Sequence, residues 1–169
     1  MKKTIFVVAF FLSGLLFQSA NAQPRINVNI GSQPAWGPVG YDHVDYYYMP
    51  DIDTYYYVPG RKYTYLQNGK WKTSSSLPQM YRSYDLYKGY KVVVNEPNPY
   101  KNAKLHRTKY GSYKNNHSQE IIRNSRDSKY FVNKGHPEYN NWKNKNRTNP
   151  GNNGNPGNNG NKGNNKKKQ

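Results

Sequence analysis

Residues Val44 to Ser74 read VDYYYMPDIDTYYYVPGRKYTYLQNGKWKTS, and their punctuation decides the fold. Val44–Met49, Thr54–Val58, Arg61–Gln67 and Lys70–Ser74 are dense in Tyr, Val, Thr and Trp, whose branched or flat side chains suit a pleated, half-buried surface. Turn formers separate them. Pro59-Gly60 sets a proline, with φ fixed near about −65°, before a glycine able to take φ > 0, which is what a type II turn requires. Asn68-Gly69 supplies two residues tolerant of positive φ, as a two-residue type I′ hairpin needs. With that loop, Gln67 pairs with Lys70, and Leu66 stands opposite Trp71 on a face expected to be core. The expected fold is therefore mainly β: a small antiparallel meander with little helix, followed by a disordered basic tail.

Downstream, Ser74–Ser76 break the pattern, and Leu77-Pro78 open a helical turn in which Leu77, Met80, Tyr81 and Tyr84 share a side. Tyr90–Asn95 holds Val92, Val93 and Val94, an apolar run of the length of a buried strand, ended by Pro97 and Pro99. Residues 41–100 thus form the small tyrosine-rich domain. Residues 101–139 are polar and expected to be loosely ordered, because few apolar groups offset roughly 1–2 kcal/mol of backbone entropy per residue. Within them Ser118–Asp127 resembles a helix capped by Ser118 and carrying Ile121 and Ile122. From 140 to 169 the chain turns to low complexity: NPGNNG at Asn149–Gly154, the same at Asn155–Gly160, then NKGNN and Lys166-Lys167-Lys168-Gln169. Such a stretch offers nothing apolar to fold around.

Upstream, Lys2 and Lys3 precede an apolar run from Ile5 to Phe17, about 13 residues, which suits a signal-peptide core and falls short of the roughly 20 needed to cross a bilayer. Ala20-Asn21-Ala22 gives the small-x-small cleavage pattern, so cleavage is expected between Ala22 and Gln23. The alternative is a buried apolar helix retained in the fold. Residues 23–40 form an N-terminal arm with Pro24, Pro34 and Pro38, in which Ile26, Val28 and Ile30 alternate as one weak strand. The chain has no cysteine, which excludes both a lipoprotein anchor and any disulfide. These signals place the protein outside the cytoplasm, periplasmic or extracellular, with no membrane-spanning segment after cleavage.

The formal charge is +17. Tyr41–Gly60 carries Asp42, Asp45, Asp51 and Asp53 with no Lys or Arg, whereas nearly all the positive charge follows it. Lys143, Lys145, Arg147, Lys162, Lys166, Lys167 and Lys168 are candidate contacts for a polyanion, with Tyr110, Tyr113, Tyr130 and Trp142 interleaved for stacking. Outside the cytoplasm the available polyanions are lipopolysaccharide, acidic polysaccharide, a membrane surface or extracellular DNA. The alternative is a solubilising tail. Tyr46, Tyr48, Tyr55 and Tyr57 are candidates for an aromatic platform that stacks on sugar rings, set against the simpler reading that tyrosines build the core.

Asp42-His43-Val44-Asp45 and Asp51-Ile52-Asp53 lack the ligand spacing of a calcium loop or a zinc site and read as solvated turn carboxylates. No nucleophile elbow, H-E-x-x-H or phosphate loop is present, and His106, His117 and His136 have no evident partner in the sequence, so neither an enzyme nor a cofactor is indicated.

The segment Tyr41–Tyr100, through Y-Y-Y-x-P at Tyr46–Pro50, N-G-x-W at Asn68–Trp71, S-L-P at Ser76–Pro78 and Y-K-V-V at Tyr90–Val93, resembles a group of small exported tyrosine-rich proteins of Gram-negative bacteria. The resemblance implies export and a shared small domain, and it carries over no functional residue. Two functions are expected: an envelope-associated structural or interaction protein whose basic tail contacts polyanionic surfaces, or a glycan-binding module using an aromatic β face.

Overall fold

The computed structural model describes residues 28–147; the signal segment with Ala22 and Gln23, Ile26 of the arm, and the tail with Lys162, Lys166, Lys167 and Lys168 lie outside the described residues. Five strands form one antiparallel sheet: β1 (Tyr46–Met49), β2 (Thr54–Tyr57), β3 (Lys62–Gln67), β4 (Lys70–Ser74) and β5 (Val92–Val94), in the order β4-β3-β2-β1-β5. The described residues also hold two α-helices, α1 (Ala103–Lys109) and α2 (Tyr139–Arg147), and several single 3-10 turns. The fold is mainly β with little helix.

The register is the one the turns dictate: Gln67 faces Lys70 and Leu66 faces Trp71, across Asn68 and Gly69 at φ 51° and 71°, the positive pair of a type I′ loop. The other two hairpins share a different device. Pro50–Asp53 and Val58–Arg61 each span four residues between paired strand ends, and each closes on a non-glycine in the left-handed region, Asp53 at φ 45° and Arg61 at φ 52°. The expected type II turn at Pro59-Gly60 is therefore corrected: the positive φ falls on Arg61. Gly60 is needed for space instead, since a Cβ there would lie 2.6 Å from the Tyr57 ring.

Both sheet faces are covered. On one, Tyr47, Met49, Tyr56 and Tyr63 pack with Val44, Ile52, Val58 and Trp36, whose indole meets Tyr47 and Tyr56 at 5.5 and 4.9 Å. Leu77, Tyr81 and Tyr84 pack at its margin, while Met80 stands 64% exposed, off the side expected for it. On the other, Tyr48, Tyr55 and Val94 lie against Ala103 of α1, with Trp71, Tyr100 and Tyr110 alongside. The Leu66–Trp71 face is core at Trp71 and already solvent-facing at Leu66.

Neighbouring loops finish the edges. The strand expected around Val28 and Ile30 is a 3-10 turn at Ile30–Ser32, because the Asn29 side chain takes the ladder position, donating to Val44 O at 2.7 Å and accepting from Val44 N at 2.9 Å. The helix expected at Ser118–Asp127 is replaced by a bridge between Ile121 and Pro38 and a 3-10 turn at Ile122–Asn124. Ile121 and Ile122 are adjacent apolar residues that bury together in this extended form, whereas one helical face would hold them poorly. Residues 101–139, for which composition suggested loose order, contribute buried Ala103, His106, Ile121, Ile122, Tyr130, Asn133 and His136. Gln119 holds the outer side of Lys91 by donating to its carbonyl and accepting from its N–H, each at 2.9 Å.

Candidate functional site

Side chains alternate along a strand, so the antiparallel register sends Tyr46, Tyr48, Tyr55 and Tyr57 to one face. The expected platform then divides into two pairs. Tyr48 and Tyr55, with ring centroids 4.8 Å apart, are fully buried beneath α1 and closed to any ligand. Tyr46 and Tyr57, also 4.8 Å apart, sit half-buried at the end of the sheet. Alternation predicts which rings share a face but says nothing of what covers them, and here residues 99–110 do.

Under α1 the phenols enter a polar network. The Tyr55 hydroxyl lies 2.8 Å from His106 Nδ1, and His106 Nε2 lies 2.9 Å from Glu96 Oε1. The Tyr48 hydroxyl donates to Asp53 Oδ1 at 3.0 Å, while Arg107 donates to Asp53 Oδ2 through Nε at 2.8 Å and pairs with it through Nη2 at 2.7 Å. Burial pushes both phenols far above their ordinary range, and the Asp53 charge adds to it. They remain neutral donors at any physiological pH, which suits a fixed strut.

The turn carboxylates are thus not simply solvated. Asp42 pairs with Lys129 at 3.1 Å, Asp45 with His43 at 3.1 Å, and Asp51 accepts from the Tyr84 hydroxyl at 2.9 Å and Asn115 N at 2.7 Å. Each histidine read as isolated also finds a partner: His106 as above, His117 at Lys88 O, and His136 at Ser125 O and Glu138 N. The acidic stretch and the basic remainder complement each other within the molecule.

What stays open is a cleft of about 310 Å³ where Tyr46 and Tyr57 meet Asp45, Asn95, Glu96 and Asn98. Partial burial, the neighbouring Tyr57 and Tyr100, and Asp45 raise the Tyr46 phenol above its usual value. Two rings beside amides and carboxylates can hold a polar ligand rich in hydroxyl groups. Glu96, Asn95 and Asn98 escaped sequence reasoning. The available signal was their position in Asn95-Glu96-Pro97-Asn98, the turn leaving the Val92–Val94 strand, but the pairing of β5 with β1 that brings it to Tyr46 is not local.

The basic candidates inside the described residues cluster on α2, which buries none of its residues and exposes Lys143, Lys145 and Arg147. Tyr110, Tyr113 and Tyr130 do not join them: Tyr130 is buried, and Tyr113 stacks on Tyr90 at 4.4 Å. Among the described residues no group of three or more His, Asp or Glu could hold a metal ion, and no helix is long and apolar enough to cross a membrane. Comparison with family models, with curated proteins and with solved structures finds no match for this chain.

Proposed function

We propose that the protein is an exported, non-enzymatic interaction module of the cell envelope that contacts polyanionic polymers through its basic C-terminal side. One observation carries the reading: the carboxylates of the acidic stretch are drawn into internal ties, while Lys143, Lys145 and Arg147 stand on an exposed helix. The internal pairing leaves the outward field positive. Lys162, Lys166, Lys167 and Lys168 extend the same charge along the sequence. The N-terminal Lys2-Lys3, apolar run and Ala20-Asn21-Ala22 support export.

The test replaces these seven basic residues with Gln in the full chain and measures binding to lipopolysaccharide and to an anionic resin at several salt concentrations. The slope of log affinity against log salt should flatten, by up to about 0.7–0.9 for each ion pair with the polymer that the substitutions remove. An unchanged slope would sink the reading.

A second reading, a glycan held at Tyr46 and Tyr57, is favoured by the cleft these rings form with Asn95, Glu96 and Asn98. Tyr57→Ala should then weaken binding of a neutral oligosaccharide and leave retention on the anionic resin untouched. Equal oligosaccharide binding by both forms would dismiss it.

A further inference from the structure

Tyr90 and Tyr113 make the tightest ring contact among the described residues, with centroids 4.4 Å apart and planes within 7° of parallel. Both side chains are half-buried, so the pair reaches solvent. No hydrogen bond within the described residues holds either hydroxyl, whereas the Tyr48 hydroxyl is tied to Asp53 and that of Tyr55 to His106. The backbones that carry the two rings are fixed through one carboxylate. Asp51 accepts from Asn115 N, just past Tyr113, at 2.7 Å and from the Tyr84 hydroxyl at 2.9 Å. That hydroxyl fills the space over Gly89, the neighbour of Tyr90, where a Cβ would collide with it. On the other side of Tyr90, Gln119 holds both the N–H and the C=O of Lys91.

We propose that Tyr90 and Tyr113 are a site of oxidative coupling, at which a peroxide-driven one-electron oxidant joins the two rings covalently. Each phenol gives up one electron and its hydroxyl proton, and the two phenoxyl radicals form a C–C bond between ring carbons ortho to the oxygens. The hydrogens on those carbons then pass through solvent to the oxygens and restore both phenols. The electrons and hydroxyl protons reduce one hydrogen peroxide to two waters, so the protein loses two hydrogen atoms. Geometry selects this pair. Tyr48 and Tyr55, like Tyr56 and Tyr63, are 4.8 Å apart but buried, with no water to take the proton. Tyr46 and Tyr57 are half-buried yet stand 4.8 Å apart and tilted by 33°. Partial burial, Tyr113 and Tyr41 raise the Tyr90 phenol above its usual value, so its proton departs with the electron. Two rings already in contact couple ahead of rings that must first meet. In a chain without cysteine, the bond would close residues 90–113 into a loop as a disulfide does elsewhere. The inference stands apart from the polyanion reading.

The full chain, dilute enough to disfavour encounters between molecules, is treated with hydrogen peroxide and a haem peroxidase and then digested with trypsin. The product should be two hydrogen atoms lighter, show the blue emission of coupled phenols, and yield one main cross-linked peptide joining Gly89–Lys91 to Tyr110–Lys114. Tyr113→Phe keeps a ring to stack but no hydroxyl to oxidise, and it should abolish that peptide, while Tyr110→Phe should leave it in place. Circular dichroism of both variants confirms that the fold is intact. Unfolding in urea before oxidation should cut the yield of this peptide about tenfold or more, because the rings then meet only by chance. An equal yield from the unfolded chain overturns the proposal. So does coupling chiefly at Tyr46 and Tyr57 or between molecules, a peptide that survives Tyr113→Phe, or no coupling at all.

Discussion

Residues 44–74 and residues 99–139 are held together by different means. The first stretch is a meander in which each strand pairs with the next, so its bonds join residues close in sequence: Tyr46 with Tyr57, Thr54 with Tyr65, Gln67 with Lys70. The second has little ladder of its own and is fixed by side chains reaching far back: Arg107 to Asp53, His106 to Tyr55, Lys129 to Asp42, and Asn133 to the carbonyls of Ile30 and Gln33 at 3.2 and 2.6 Å. Both contain fully buried residues. A polar composition therefore does not prevent a segment from being integral when a preformed surface supplies its partners.

The comparison breaks most visibly if the second region is only lightly attached. Ile122→Ala removes a side chain with no exposure and should cost about 2–4 kcal/mol in urea unfolding, the ordinary loss for a buried aliphatic residue. A cost under about 1 kcal/mol would mean that residues 99–139 can leave the sheet without unfolding it.

The next effect sits on the contact between the regions. His106→Ala strands the Tyr55 hydroxyl in the interior and should cost about 1–3 kcal/mol, part of which Tyr55→Phe in the same chain recovers. Strict additivity in that double-mutant cycle would show that the Tyr55–His106 bond does not couple sheet and helix.

Within the meander, Gly69→Val should cost more than about 1 kcal/mol, because a β-branched residue resists the φ of 71° that the loop needs. A melting temperature equal to that of the unaltered chain would remove Asn68-Gly69 as the element setting the register.

A pH-dependent effect concerns Lys91, which is 1% exposed, has its Nζ 5.7 Å from the Trp36 ring centroid and finds no hydrogen-bond partner there among the described residues. Burial pushes its ammonium down from 10.5 to about 8, against the opposing pull of Asp85 and Asp51. Between those two pH values the unfolded chain holds the proton and the folded chain releases it, so stability should rise with pH across that window. Above the unfolded phenol value of 10.0 the buried tyrosines reverse the trend, since Tyr63 is raised by burial to about 12 and keeps its proton only when folded. Lys91→Met should flatten the rise between about pH 8 and 10. Parallel stability curves for the two proteins would show that the amine reaches solvent.

Legibility followed the same division. Asn68-Gly69, Val92–Val94 and the alternating tyrosines were readable because period-two patterning and tight turns act over a few residues. The positive φ at Arg61 was misplaced onto Gly60, because two four-residue hairpin loops share one conformation irrespective of where glycine stands. The covering of Tyr48 and Tyr55 could not be read, since it depends on Asp53 and Tyr55 meeting Arg107 and His106 across more than fifty positions. The charge asymmetry was visible, but its first use is internal. Of the basic candidates, Lys143, Lys145 and Arg147 were recognised from charge, whereas a groove joining Trp142 to Phe131 and Glu138 needed the turn at Ser128–Tyr130 to be in place.

The two outer margins of the sheet differ in how they meet other chains. At β5 the Gln119 amide bonds both the N–H and the C=O of Lys91, so one side chain occupies the position an incoming strand would need. At β4 no such plug appears among the described residues, and protection falls to the charges of exposed Lys70 and Lys72. Strand addition, were it to occur, would be favoured at that margin. Its guard is electrostatic, so a dense polyanion that neutralises those lysines would also unlock the growth of one molecule upon another.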